Sequence, residues 1–68
     1  MVSKNRLGEN LKKARQKAGL SQVQLAKKAK IHANYYARVE RGEVNPSVEI
    51  VENIAKALNV KSSEILPF

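Results

Sequence analysis

Apolar residues recur along this chain at helical spacing, and the recurrences break at residues that end helices. A first stripe, Leu7, Leu11, Ala14, Arg15 and Ala18, predicts a helix over residues 5–18, stopped by Gly19, with Leu20 closing over the core. Val23, Leu25, Ala26 and Ala29 predict a second helix, and Ser21 with Gln24 three residues on has the form of a capping box at its start. Lys30-Ile31-His32 interrupts the pattern with one buried-type residue inside a short polar connection. Tyr36, Val39 and Glu40 then share one side of a third helix over residues 32–41, and Gly42 is the left-handed residue expected after it. Residues 43–46 form a turn in which Pro46 holds Asn45 extended. Ser47 caps a fourth helix carrying Val48, Val51, Ile54, Ala55 and Leu58, which Asn59 ends in place of the usual glycine. Val60 re-enters the core, and Ser62 caps a last helical turn over residues 63–66 that Pro67 stops. Met1 to Arg6, running into the start of the first helix, reads as a loosely ordered basic arm.

The polar side of the third helix changes the picture from fold to chemistry. Ala33, Asn34, Ala37, Arg38 and Arg41 lie opposite the apolar side, on a face that is small, flat and rich in donors. Asparagine pairs bidentately with adenine and arginine with guanine, so Asn34 and Arg38, one turn apart, suit the edges of bases in a major groove. Ala33 and Ala37 leave room for that approach and could meet a thymine methyl, though both are equally at home as plain helix formers. Gln22 opens the second helix, where free N–H groups attract phosphate. Lys28, His32, Tyr35, Arg41 and Asn45 complete an expected rim of phosphate contacts, with His32 alternatively standing in as a helix cap. Arg15 is out of place on an apolar stripe, because an unpaired buried charge is costly. Glu40, on the inner side of the third helix, is its natural partner, and the pair would fix the angle between the first and third helices.

Charge sharpens this. Residues 1–41 hold 11 Lys or Arg against Glu9 and Glu40, whereas residues 42–68 hold two lysines against four glutamates. A basic half containing the donor-rich helix points to a polyanion on one side only. Composition removes most other classes. There is no cysteine and no aspartate, and there is one histidine, so no catalytic site, metal site or cofactor is expected. Aromatic residues make up 4% of the chain, a poor basis for stacking on single strands. No apolar run approaches the roughly 20 residues of a membrane span, and the N-terminal residues lack the apolar stretch of a signal peptide, so a cytoplasmic chain without membrane contact is expected.

The stretch from Gly19 to Ser47, GLSQVQLAKKAKIHANYYARVERGEVNPS, resembles the helix-turn-helix of the lambda-repressor-like, Xre-type (Cro/CI-like) regulators. The Leu-Ser-Gln opening, the Leu-Ala pair, the Ile before the recognition helix, the Glu-Arg-Gly ending, Asn-Pro-Ser and Ile-Ala-Lys-Ala-Leu all match, over residues 7–66. Two positions depart: Lys30 stands where the family has glycine, and Tyr36 where it has isoleucine or leucine. The first implies a less strained turn than usual, the second a partner for a buried hydroxyl. The resemblance implies an all-α, five-helix, repressor-like domain over residues 1–68, with its helix-turn-helix at 21–42 and C-terminal helices at 47–66. It also implies the Arg15–Glu40 pair. The function implied is a transcriptional regulator, a repressor more than an activator, that reads a palindromic duplex operator as a homodimer with no small-molecule ligand. Ile65, Leu66 and Phe68 offer apolar surface at the C-terminus for that dimer. The alternatives are an antitoxin or restriction-modification controller of the same fold, an adaptor that uses the fold to bind protein, or a non-specific RNA or nucleoid binder.

Overall fold

A computed structural model describes residues 4–67, and most of these are helical. The α-helices are α1 (Lys4–Lys17), α2 (Gln22–Ala29), α3 (Ala33–Glu40) and α4 (Val48–Leu58), followed by a 3₁₀ turn at Ser62–Glu64. Four α-helices are therefore present among the described residues, not five. The reason lies in the last turn. Ser62 is inside it, not at its cap: the Glu64 carboxylate reaches back to accept from the Lys61 N–H at 2.7 Å. Pro67, three residues later, has no N–H to extend a longer helix and disfavours helical backbone at Leu66. The expected arm at residues 1–6 is part of α1 from Lys4 onward, and residues 1–3 lie outside the described residues.

Ser21 starts α2 as expected. Its hydroxyl accepts from the Gln24 N–H at 3.0 Å, and the Gln24 amide accepts from the Ser21 N–H at 2.8 Å. Ser47 opens α4 in the same way, accepting from the Ile50 N–H at 3.2 Å. All four helices end alike, on a residue with positive φ: Gly19, Lys30, Gly42 and Asn59. The residue after each donates back into the last turn, as Ile31 does to the Ala26 carbonyl at 3.0 Å and Val60 to that of Ala55 at 3.0 Å. Lys30 thus takes the left-handed conformation itself, with φ 61°. The turn into α3 is not relaxed by the missing glycine; a lysine is held in it, at a cost of about 1–2 kcal/mol.

Leu20, Ile31 and Val60, each following such an ending, tuck against a core of Leu11, Leu25, Ala26, Ala29, Tyr36, Val39, Val51, Ile54, Ala55, Leu58 and Ile65. α2 packs on α3 and α4, and α1 packs on α3. Truncating one of the large members to alanine costs about 2–5 kcal/mol, a large part of the stability of a domain this small. Three apolar positions escape. Val23, assigned to the apolar face of α2, is 64% exposed, because the buried side of that helix runs through Leu25, Ala26 and Ala29. Val48 is in register with the buried stripe of α4 but stands at its first residue, 70% exposed. Ala18 is exposed just past the end of α1.

Candidate nucleic-acid interface

The inner side of α3 is fixed by charge as well as by packing. Arg15 Nε donates to Glu40 Oε2 at 2.6 Å and Nη2 donates to Oε1 at 3.3 Å, a two-pronged pair between α1 and α3. Arg15 Nη1 also donates to the Leu20 carbonyl at 2.9 Å, in the link between α1 and α2. Gln22 Nε2 donates to Glu40 Oε1 at 3.1 Å, which brings in the start of α2. One carboxylate, 4% exposed, therefore joins three helices, and its partner Arg15 adds the loop between α1 and α2. Burial pushes the Glu40 carboxyl upward, but its hydrogen bonds, those from Arg15 above all, outweigh burial and hold it below the usual carboxylate range. The Arg15 guanidinium is raised in turn, chiefly by its hydrogen bond to Glu40.

Tyr36 lies beside this network, fully buried. Burial drives its phenol well above the ordinary range, and the charge of Glu40 adds to that while Arg15 opposes it. Its hydroxyl faces the Glu40 carboxylate and the Arg15 guanidinium, the groups placed to serve as its partners.

Gly8 explains how α1 and α3 come so close. It is buried, and a Cβ there would stand 2.1 Å from the Glu40 carbonyl oxygen and 3.0 Å from that of Val39. No side chain fits between α1 and the last turn of α3. The one signal of this role in the sequence is the glycine itself, since a glycine inside a helix is disfavoured by about 0.5–1 kcal/mol and so needs a reason of this kind.

With its inner side held, α3 turns Asn34, Arg38 and Arg41 to solvent. Ala37 is half-buried among them; Ala33 is half-buried too but packs against the core, more inward than its assignment to the outer face. Just beyond the helix, Glu43 pairs with both arginines: Arg38 Nε lies 3.4 Å from its Oε1, and Arg41 Nε donates to its Oε2. The carboxyl of Glu43 is lowered by these contacts, Arg41 first.

Comparison with known proteins places this arrangement. The helix-turn-helix family model matches residues 11–65. The chain belongs to this family. It is 40% identical over 60 residues to the immunity repressor protein of Bacillus phage phi105, covering 88% of this chain and 42% of that protein. It is 38% identical over 52 residues to the control protein C.BamHI of Bacillus amyloliquefaciens, covering 76% of this chain and 64% of the relative. The chain thus spans less than two thirds of the length of these two relatives. Among solved structures it is similar to the restriction-modification controller protein C.AhdI from Aeromonas hydrophila, with TM-score 0.91 and 32% identity over 93% of this chain and 96% of that one.

The other residues singled out in the sequence fall in several places around this helix-turn-helix. His32 is the N-cap of α3 by position, but its side chain makes no capping hydrogen bond. Tyr35 is half-buried against the core and Asn45 is exposed in the turn after α3. Lys28 is grouped with Lys30, Asn53 and Lys56 around a shallow groove between α2 and α4 that no α3 residue lines. Gln22 is not a free rim residue, since its amide is committed to Glu40. Its spacing carried the signal: residues 22, 25, 26 and 29 form one inner stripe of α2. Ile65, offered as dimer surface, is fully buried in its own chain, and Asn10 Nδ2 donates to its carbonyl at 3.1 Å. It is a core residue here. Leu66 is half-buried against the same core, and Phe68 lies outside the described residues.

Proposed function

We propose that this chain is a regulator of transcription that binds duplex DNA by placing α3 in the major groove. The observation that carries the reading is the division of α3. One side is pinned to α1 and α2 through Glu40 and Gly8, while the other presents Asn34 and Arg38 one turn apart. A helix held this firmly offers its donors at a fixed angle, which base readout needs. Arg41, with Tyr35, His32, Asn45 and the N-terminus of α2 around Gln22, would lie along the phosphates, and Lys28 would contribute to the basic field. Similarity to a phage immunity repressor supports repression as the sign of control.

The chain acts in this reading as a homodimer on a palindromic site, with the C-terminal turn around Leu66 between the copies. Each protomer measures about 30 × 22 × 21 Å, so two of them side by side can set their α3 helices at successive major grooves, about 34 Å apart. Sedimentation at micromolar concentration should give twice the chain mass, and Leu66→Glu should return it to one.

Selection from a random duplex library tests the reading as a whole. Enrichment of a palindrome with half-sites about 10 base pairs apart is the expected result. A bound pool with no common sequence rejects specific binding. A second reading, a restriction-modification controller, is favoured by the similarity to C.AhdI over nearly the whole of that protein. It differs in the genes served and leaves the DNA chemistry unchanged.

A further inference from the structure

The four helix endings differ in one respect that falls on the reading helix. After α1, α2 and α4 the residue that follows the positive-φ position is apolar and closes on the core: Leu20, Ile31 and Val60. After α3 it is Glu43, exposed to solvent. The backbone is closed there as elsewhere, with the Glu43 N–H donating to the Arg38 carbonyl at 2.9 Å and the Gly42 N–H to that of Val39 at 3.1 Å. These bonds hold the Glu43 backbone against the last turn of α3. Its carboxylate then meets Arg38 through one oxygen and Arg41 through the other.

We infer that Glu43 sets the specificity of DNA binding, by occupying Arg38 and Arg41 in the free protein as a stand-in for phosphate. The inference rests on the DNA reading above. Non-specific binding is almost wholly an exchange of cations for phosphate contacts. On an arbitrary duplex, the two arginines would trade a carboxylate for a phosphate. Little is gained, and Glu43 is left unpaired beside an anion. At a site where Arg38 also meets a base edge, the exchange gains hydrogen bonds that Glu43 cannot supply. The carboxylate therefore weakens both modes of binding, and it weakens the non-specific one more because both arginines then sit on phosphates beside Glu43, whereas at a selected site Arg38 has turned to a base edge. An arginine pair without Glu43 would hold any duplex more tightly and discriminate less.

The test is Glu43→Gln, which keeps the shape and removes the charge. Its partner in the experiment is Glu52→Gln, the same charge change at an exposed position of α4. Fluorescence anisotropy would follow wild type and both variants on a duplex selected from the random library and on its scrambled counterpart, across a salt series. Glu43→Gln should bind the scrambled duplex about 3–10-fold more tightly at low salt, with a smaller gain on the selected duplex. The ratio of the two affinities should fall, and the salt slope on the scrambled duplex should steepen by about 1. Glu52→Gln should move the ratio little. An equal gain on both duplexes, or a gain no larger than that of Glu52→Gln, overturns the role of Glu43 while the DNA reading stands. A wild-type chain that binds neither duplex overturns the DNA reading first and this inference with it. Thermal melts of the two variants that overlay that of wild type establish that folded proteins are compared.

Discussion

Two carboxylates stand three residues apart at the end of α3, and each holds arginine. Glu40 is 4% exposed and grips Arg15 from α1, with Gln22 from α2 added. The Glu43 side chain, just beyond α3, is 45% exposed and holds Arg38 from the last turn of that helix and Arg41 from its C-cap. The chemistry is the same and the consequences are opposite. A largely buried pair whose carboxylate oxygens are both engaged is not readily exchanged for solvent, so breaking one side leaves a charge stranded and the structure bears the cost. An exposed pair is screened and easily traded, so it adds little to stability and remains available for another anion. Depth therefore separates an ion pair that builds the reading helix from one that attends to what the helix reads.

Removing the inner pair one side at a time should have the largest effect. Arg15→Ala or Glu40→Ala should each destabilise the fold by about 3–5 kcal/mol, read from urea unfolding. The double variant should lose less than the sum. Strict additivity would mean that the two residues do not support one another. The pair also has a pH signature. Glu40 is held below the ordinary carboxylate value of about 4.3, so its contribution is complete above that value and is lost as pH falls through the depressed one. Wild-type unfolding midpoints should therefore drop below about pH 4, and Glu40→Gln should show a flatter profile over the same range.

Gly8→Ala comes next. A methyl group 2.1 Å from the Glu40 carbonyl oxygen must move α1 away from α3. A loss of about 1–3 kcal/mol is expected, with weakened DNA binding as the angle of α3 shifts. An alanine variant as stable as wild type would show that the two helices are free to separate without consequence.

These regions were not equally legible in the sequence. The Ser21–Gln24 cap, the stripe of α4 and the Arg15–Glu40 pair could be read because each follows from local spacing or from one residue out of place on its stripe. Gly8 could not, because its role depends on a carbonyl 32 positions away that only the packed helices bring near. Val23 stands three residues before Ala26, so spacing alone groups it with Leu25, Ala26 and Ala29, whereas the inner stripe runs through polar Gln22. Ile65 is illegible for a related reason: an apolar residue near the end of the sequence carries no mark of which way it faces, and the 3₁₀ turn and the Asn10 bond tuck this one inside. The Glu43 contacts depend on side-chain geometry at a turn, which spacing does not encode.

Lys30 offers the smallest of the stability effects, and the only gain. Its φ of 61° suits glycine. Lys30→Gly should relieve that strain, partly offset by the greater freedom of an unfolded glycine, for a net gain of about 0.5–1 kcal/mol. A loss would mean that the lysine side chain makes up for its own backbone strain, for example through the groove it shares with Lys28 and Lys56.

The claim on which the rest depends is that the outer side of α3 reads sequence, and binding of Asn34→Ala and Arg38→Ala tests it most directly. Each variant would be titrated against the library-selected duplex and against the same bases in scrambled order, at one salt concentration. Loss of about 1–3 kcal/mol on the selected duplex, with a clearly smaller loss on the scrambled one, is the result expected of residues that touch base edges. Equal losses on the two duplexes would contradict it, and would leave Asn34 and Arg38 as phosphate contacts on a helix that carries no readout.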